Sequence, residues 1–209
     1  MTLTPAALWL NTAFAAFDES ITASIHALYE HGGAFFTPFM EFVSLLGKGG
    51  IFLILLSVVL LCIRKTRRFG TAMLLGLAIG AIGVNVFLKV AIARPRPYSD
   101  VEGFYYPLWL KVGQNTESDF CFPSGHTNAC FAAMVPVFLL GKKKWSWLAL
   151  VFGVLMGISR IYLVVHYPSD VVGGFLTGTV SGLLGTLIAI NLPKAWYGWD
   201  LFRRKEYAQ

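Results

Sequence analysis

Three stretches of the chain carry residues whose types and spacing suit chemistry on a phosphate. "KVAIARPRP" (89–97) holds Lys89, Arg94 and Arg96; "CFPSGH" (121–126) holds Ser124, Gly125 and His126; "RIYLVVHYPSD" (160–170) holds Arg160, His166 and Asp170. Three cations, Lys89, Arg96 and Arg160, beside a helix start at Pro123-Ser124-Gly125 can hold a tetrahedral anion, because the free N–H groups and dipole of a helix start favour phosphate. Gly125 permits close backbone approach and Ser124 adds a hydroxyl. His166 lies four residues before Asp170. A carboxylate at that spacing can accept one imidazole N–H and leave the other nitrogen free to attack. His126, following the cradle, is a candidate to protonate the departing oxygen.

Each part also has a plainer reading. Lys89 can snorkel to water. "PSG" can be an ordinary helix start, and Asp170 a charge complementing a helix dipole, worth about 0.3–1 kcal/mol. What favours a site is the grouping, since ionisable residues near membrane depth are costly to keep and snorkelling explains neither the histidines nor the aspartate.

The elements that must position these residues are membrane helices. The chain is 56% hydrophobic and only 13% charged, with a mean hydropathy of +0.64, the composition of an all-α, polytopic membrane bundle. Apolar runs at 49–63, 69–92, 124–141, 145–165 and 171–192 are candidate spans. Residues 1–48, broken by Asp18, Glu19, Glu30, His31 and Glu41, suit either a first span or interfacial amphipathic helices. Six spans are expected. The basic loops "RKTRR" (64–68), "KKK" (142–144) and "FRRK" (202–205) then share the cytoplasmic side, and all three chemical stretches fall at the outer membrane–water interface. A single catalytic core over 49–192 would follow the N-terminal segment 1–48, with 193–209 a cytoplasmic tail. The net charge of +6 is explained by these loops and calls for no nucleic acid. No removable signal peptide is expected. Cys62, Cys121 and Cys130 have no metal-like spacing, and Cys121 is a candidate free thiol. Glycines four apart, such as Gly76 and Gly80 or Gly174, Gly178 and Gly182, let helices approach closely, either within the chain or in a homodimer.

The motifs together resemble a known family. Lys-x6-Arg-Pro (Lys89, Arg96, Pro97), Pro-Ser-Gly-His (123–126) and Ser-Arg-x5-His-x3-Asp (Ser159, Arg160, His166, Asp170) stand in the order found in type 2 phosphatidic acid phosphatases, of the lipid phosphate phosphatase superfamily. The resemblance implies His166 as nucleophile forming a phosphohistidine, Asp170 orienting it, and His126 as general acid. It implies Lys89, Arg96, Ser124, Gly125 and Arg160 as the phosphoryl-binding set, no metal and no cofactor. Arg94 falls outside the family's spacing and is assigned as an auxiliary cation or lipid-headgroup contact. Asp100, Glu102, Glu117 and Asp119 read as solvated loop charges.

Compact members of this kind are similar to bacterial enzymes of the cytoplasmic membrane. Their substrates are lipid phosphates: undecaprenyl diphosphate, the favoured assignment here, or phosphatidylglycerol phosphate, phosphatidate and lipid A phosphates. The aromatic loop "GFYYPLWLKVG" (103–113) suits an interfacial lid or a plain anchor. Phosphotransfer to another lipid uses the same phosphohistidine and stays open. A transporter or scramblase would favour an internal repeat, which the sequence lacks. A vanadate haloperoxidase shares the anion pocket but is soluble.

Overall fold

The computed structural model describes residues 3–198. The segment "FRRK" and most of the expected tail therefore lie outside the described residues. Among those described the secondary structure is helical: α1 (Pro5–Ala13), α2 (Ala15–Gly47), α3 (Ile51–Cys62), α4 (Arg67–Ala81), α5 (Lys89–Ile92), α6 (Tyr105–Lys111), α7 (Gly125–Leu140), α8 (Lys143–Tyr162), α9 (Pro168–Asn191) and α10 (Lys194–Gly198). A π-helical stretch, Ile82–Leu88, joins α4 to α5.

Four helical runs are long and apolar enough to span a bilayer, Ala15–Cys62, Arg67–Ser99, α8 and α9, and α7 is a shorter apolar fifth. This is the polytopic helical bundle expected. Residues before Gly32 stay at the end of the bundle that carries the three motifs, because Asp18 bonds Ser169 and Arg94 while Glu30 bonds Lys111 of α6 at 2.8 Å. Helix α2 breaks at Gly32, and its second half is joined to α3 by the turn Lys48–Gly50, where Gly49 and Gly50 take left-handed backbone (φ 60° and 67°). The basic loop 64–68 lies at the opposite end. There Arg67 donates to the carbonyl of Tyr197 at 3.3 Å.

Packing is inside-out relative to a soluble bundle, as lipid tails are as apolar as leucine and give no drive to hide large side chains. On α9, Phe175, Leu176, Val180, Leu183 and Leu187 face outward, while Gly174, Gly178, Gly182 and Gly185 face in. Helix α7 sits at the centre against α4, α8 and α9. A Cβ on Gly178 would lie 2.4 Å from the carbonyl oxygen of Asn128 on α7, and one on Gly76 the same distance from that of Ala132. These glycines serve close packing within the chain.

Gly178→Ala is expected to cost about 1–3 kcal/mol through overpacking against backbone that cannot yield. Gly83→Ala, which meets nothing within 4 Å, is expected to leave stability unchanged. Thermal unfolding of both variants in detergent checks the contrast.

Candidate active site

The sequence delivers the site by three helix ends. Lys89 opens α5 directly after the π-helical stretch, an irregularity common beside functional groups. Ser124 caps α7, its Oγ accepting from the Thr127 N–H at 3.4 Å and the Thr127 hydroxyl at 3.0 Å. Pro168 opens α9, and Asp170 caps it by accepting the Tyr167 N–H at 2.8 Å. A backbone bond from the Ser124 N–H to the Asp170 carbonyl, 3.0 Å, fastens the second helix start to the third.

A cavity of about 500 Å³ lies between them. Lys89, Arg96, Gly125, His126 and His166 form part of its wall, with Asn85 of the π-helical stretch. Its other wall is apolar, made by Ile54 of α3 and Leu74, Leu77, Ala78 and Ala81 of α4. Ser124 and Arg160 stand behind this wall. Ser124 is fully buried in its capping role, and Arg160 reaches the site through its pairing with the cavity residue Glu117.

The imidazole of His166 is held between two charges. Arg96 donates to Nε2 at 3.0 Å, so the ring proton sits on Nδ1. Nδ1 faces Asp170 Oδ2 at 3.6 Å, beyond hydrogen-bonding distance. The expected His–Asp hydrogen bond is therefore not formed in this arrangement. Asp170 Oδ2 instead accepts the Cys121 thiol at 2.6 Å and the Tyr167 N–H. Burial, followed by the charges of Arg96, Arg160, Lys89 and His126, holds His166 well below the ordinary imidazole value, which keeps it neutral.

Several residues differ from their sequence reading. Glu117 and Asp119 are not simply solvated loop charges: Asp119 pairs with both Lys89 and Arg96, and Glu117 pairs with Arg160. Burial works against the Asp119 charge, but the two cations outweigh it and keep its carboxyl below the usual range. Arg94, assigned from sequence as an auxiliary cation or lipid-headgroup contact, has carboxylates as its partners. It is buried between Asp18 and Asp170, at 3.0 and 2.6 Å. Cys121 is the free thiol expected; it is buried and donates to Asp170, and burial with the Asp170 charge pushes its thiol well above the ordinary value. The aromatic segment α6 packs over this end, Tyr105 edge-on to Tyr167 at 5.0 Å and Trp109 stacked on Tyr98 at 4.8 Å.

A helical membrane bundle with cations and two histidines gathered at its helix ends defines a class, and comparison with known proteins gives the family. The chain belongs to the PAP2 superfamily, whose family model matches residues 69–193. It is 32% identical over 155 residues to an undecaprenyl-diphosphatase of Sulfolobus acidocaldarius, covering 74% of this chain and 71% of that one. To undecaprenyl-diphosphatase BcrC of Bacillus subtilis it is 28% identical, covering 80% and 81%. The crystal structure of a transmembrane PAP2 type phosphatidylglycerolphosphate phosphatase from Bacillus subtilis superposes with a TM-score of 0.69 at 28% identity, covering 90% of this chain and 92% of that one.

Because the Cys121 thiol is buried and held protonated, a water-soluble maleimide at pH 8 is expected to leave it unmodified in the folded protein and to label it after denaturation. Mass spectrometry of the digested protein reads the outcome.

Proposed function

We propose that the chain is a membrane lipid phosphatase hydrolysing a polyprenyl diphosphate, undecaprenyl diphosphate, through a phosphohistidine on His166. The observation that carries this reading is the cavity itself: one wall bears Lys89, Arg96, His126 and His166, and the other bears the apolar side chains of Leu74, Leu77, Ala78 and Ala81 of α4 with Ile54 of α3. A phosphorylated headgroup suits the first wall and the start of a lipid tail suits the second. Similarity to two undecaprenyl-diphosphatases favours the diphosphate. The structural neighbour acting on phosphatidylglycerolphosphate favours that lipid as the second candidate.

In the proposed reaction the terminal phosphoryl group displaces Asp119 and Glu117 and takes their places on Lys89, Arg96 and Arg160. Gly125 lets the backbone at the start of α7 approach the phosphoryl oxygens, and Ser124, as the cap, fixes that start. As Arg96 turns to the phosphate it uncovers the Nε2 lone pair of His166. His126 takes up a proton as the negative headgroup arrives beside it; Nε2 then attacks phosphorus, the bond from phosphorus to the bridging oxygen breaks, and the His126 imidazolium protonates the departing lipid phosphate. The positive ring then draws its Nδ1–H to Asp170, closing the 3.6 Å gap. Water, giving a proton to His126, attacks phosphorus, and inorganic phosphate leaves with His166 neutral again. Side-chain cations supply the charge neutralisation at each step.

We assign the site to the extracytoplasmic face of a bacterial cytoplasmic membrane. The basic loops 64–68 and 142–144 follow or precede the opposite ends of the helices, and short basic loops stay inside. The N-terminal layer, residues 3–31, would then lie in the outer interface, ahead of the core that the sequence divides at residue 49.

Phosphate release from undecaprenyl diphosphate in mixed micelles with EDTA present tests the reading. Wild type is expected to turn over, His166→Ala to lose about 10³-fold or more, and Asp170→Asn to lose kcat with little change in KM. Full activity of His166→Ala would refute the mechanism, and a faster rate on phosphatidylglycerol phosphate would reassign the substrate. Asp119→Asn removes an internal competitor for two cations. Vanadate inhibition of that variant is expected to tighten by about 10–100-fold, a charge-assisted hydrogen bond contributing roughly 1.5–3 kcal/mol.

A further inference from the structure

The N-terminal layer has no part in the motifs, and yet it reaches the buried carboxylate beside His166 through a single side chain. Arg94 follows Ala93, whose backbone is left-handed (φ 49°) and turns the chain out of α5. The Arg94 guanidinium is 1% exposed and its donors are shared among four residues. Nε donates to Asn11 Oδ1 at 2.8 Å, and one terminal nitrogen donates to Asp18 Oδ2 at 3.0 Å. The other donates to Ser169 Oγ at 2.8 Å and Asp170 Oδ1 at 2.6 Å. Its face covers the Tyr167 ring, 3.8 Å from the centroid. Asp18 in turn accepts the Ser169 N–H and hydroxyl, each at 2.7 Å. The hydrogen bonds of Arg94 are all spent on these four residues, on the far side of Asp170 from the histidine cavity, which sets it apart from the phosphoryl-binding cations.

We propose that Arg94, clamped by Asn11 and Asp18 of the N-terminal layer, is the positioning residue that keeps Asp170 ionised and turns its Oδ2 toward His166. This rests on the role given to Asp170 under the proposed function. The physical reason is the carboxylate's environment. Asp170 is fully buried, and a buried carboxylate needs a cation with satisfied hydrogen bonds to remain charged. By taking Oδ1, the guanidinium leaves Oδ2 as the oxygen that faces Nδ1. A lysine would bring a point charge without the planar fork that spans Asp18, Ser169 and Asp170 together. Asp18 makes the arrangement stiff: a single carboxylate grips both the arginine and the residue preceding Asp170.

The test is a double-mutant cycle on the purified full chain, reading kcat and KM for undecaprenyl diphosphate hydrolysis. Arg94→Lys is expected to lower kcat by about 10–100-fold, the usual effect of losing a partner that orients a functional group, with KM unchanged. Asp18→Asn should do the same to a smaller extent. In an Asp170→Asn background neither change should cost anything further, since the group they position has been removed. Losses that multiply in the double variants would mark a merely structural role and overturn the proposal, as would unchanged kcat in both single variants. Asp18→Asn preserves volume and keeps an acceptor for Ser169, so it decides the question if Arg94→Lys does not fold. Full turnover by Asp170→Asn while His166→Ala is dead would overturn this inference and leave the phosphohistidine standing; activity in His166→Ala would remove both.

Discussion

Four cations buried at one end of an apolar bundle are the constraint on which the rest depends. Lys89, Arg94, Arg96 and Arg160 are each no more than 6% exposed, and a charge in such a place persists only if it is paired. The chain supplies four carboxylates for them, in two different ways. Arg94 is balanced by Asp18 of α2 and Asp170 of α9, side chains fixed by helices. Lys89, Arg96 and Arg160 are balanced by Asp119 and Glu117, which stand in the connection between α6 and α7. The first pairing is built into the bundle and suits a permanent orienting role. The second hangs on a loop, and a phosphoryl group offers the same charge and more oxygens, so it is the pairing a substrate can replace.

Those charges can meet because the helices come close. Without a hydrophobic drive between helices in lipid, association rests on packing, and the glycines of α4 and α9 let α7 approach to backbone contact. Large apolar side chains are left for the lipid. The start of α7 is thereby pinned to the start of α9 by the Ser124 N–H, which brings His126 and His166 to one cavity although 40 residues separate them in the chain.

The motifs, the helical class and the sharing of one bundle end by all three stretches were legible in the sequence, because each depends on local features: a Pro-Ser-Gly helix start, a His four residues before an Asp, apolar runs of bilayer length. What was not legible depends on partners far along the chain. Asp18 reads as a charge spoiling a span, and its meaning appears only with Ser169, 151 residues on. That same contact holds the start of α2 at the site end. Glu117 and Asp119 have the spacing of ordinary loop acids, and nothing local marks them as partners of Lys89, Arg96 and Arg160. Arg94 fell outside the family spacing for a physical reason visible only in three dimensions, since it serves the carboxylate and not the phosphate. Cys121 could be singled out as a lone thiol beside "FPSGH", but its bond to Asp170 spans 49 residues.

The central claim is that a neutral His166 takes the phosphoryl group onto Nε2. Rapid quenching of a single turnover with substrate labelled in its terminal phosphate, followed by alkaline digestion and peptide mapping, tests it most directly. The account predicts an acid-labile, alkali-stable label on the peptide containing His166, absent from His166→Ala. Rapid turnover by wild type with no protein-bound label at any quench time, or label on a residue other than His166, would contradict it.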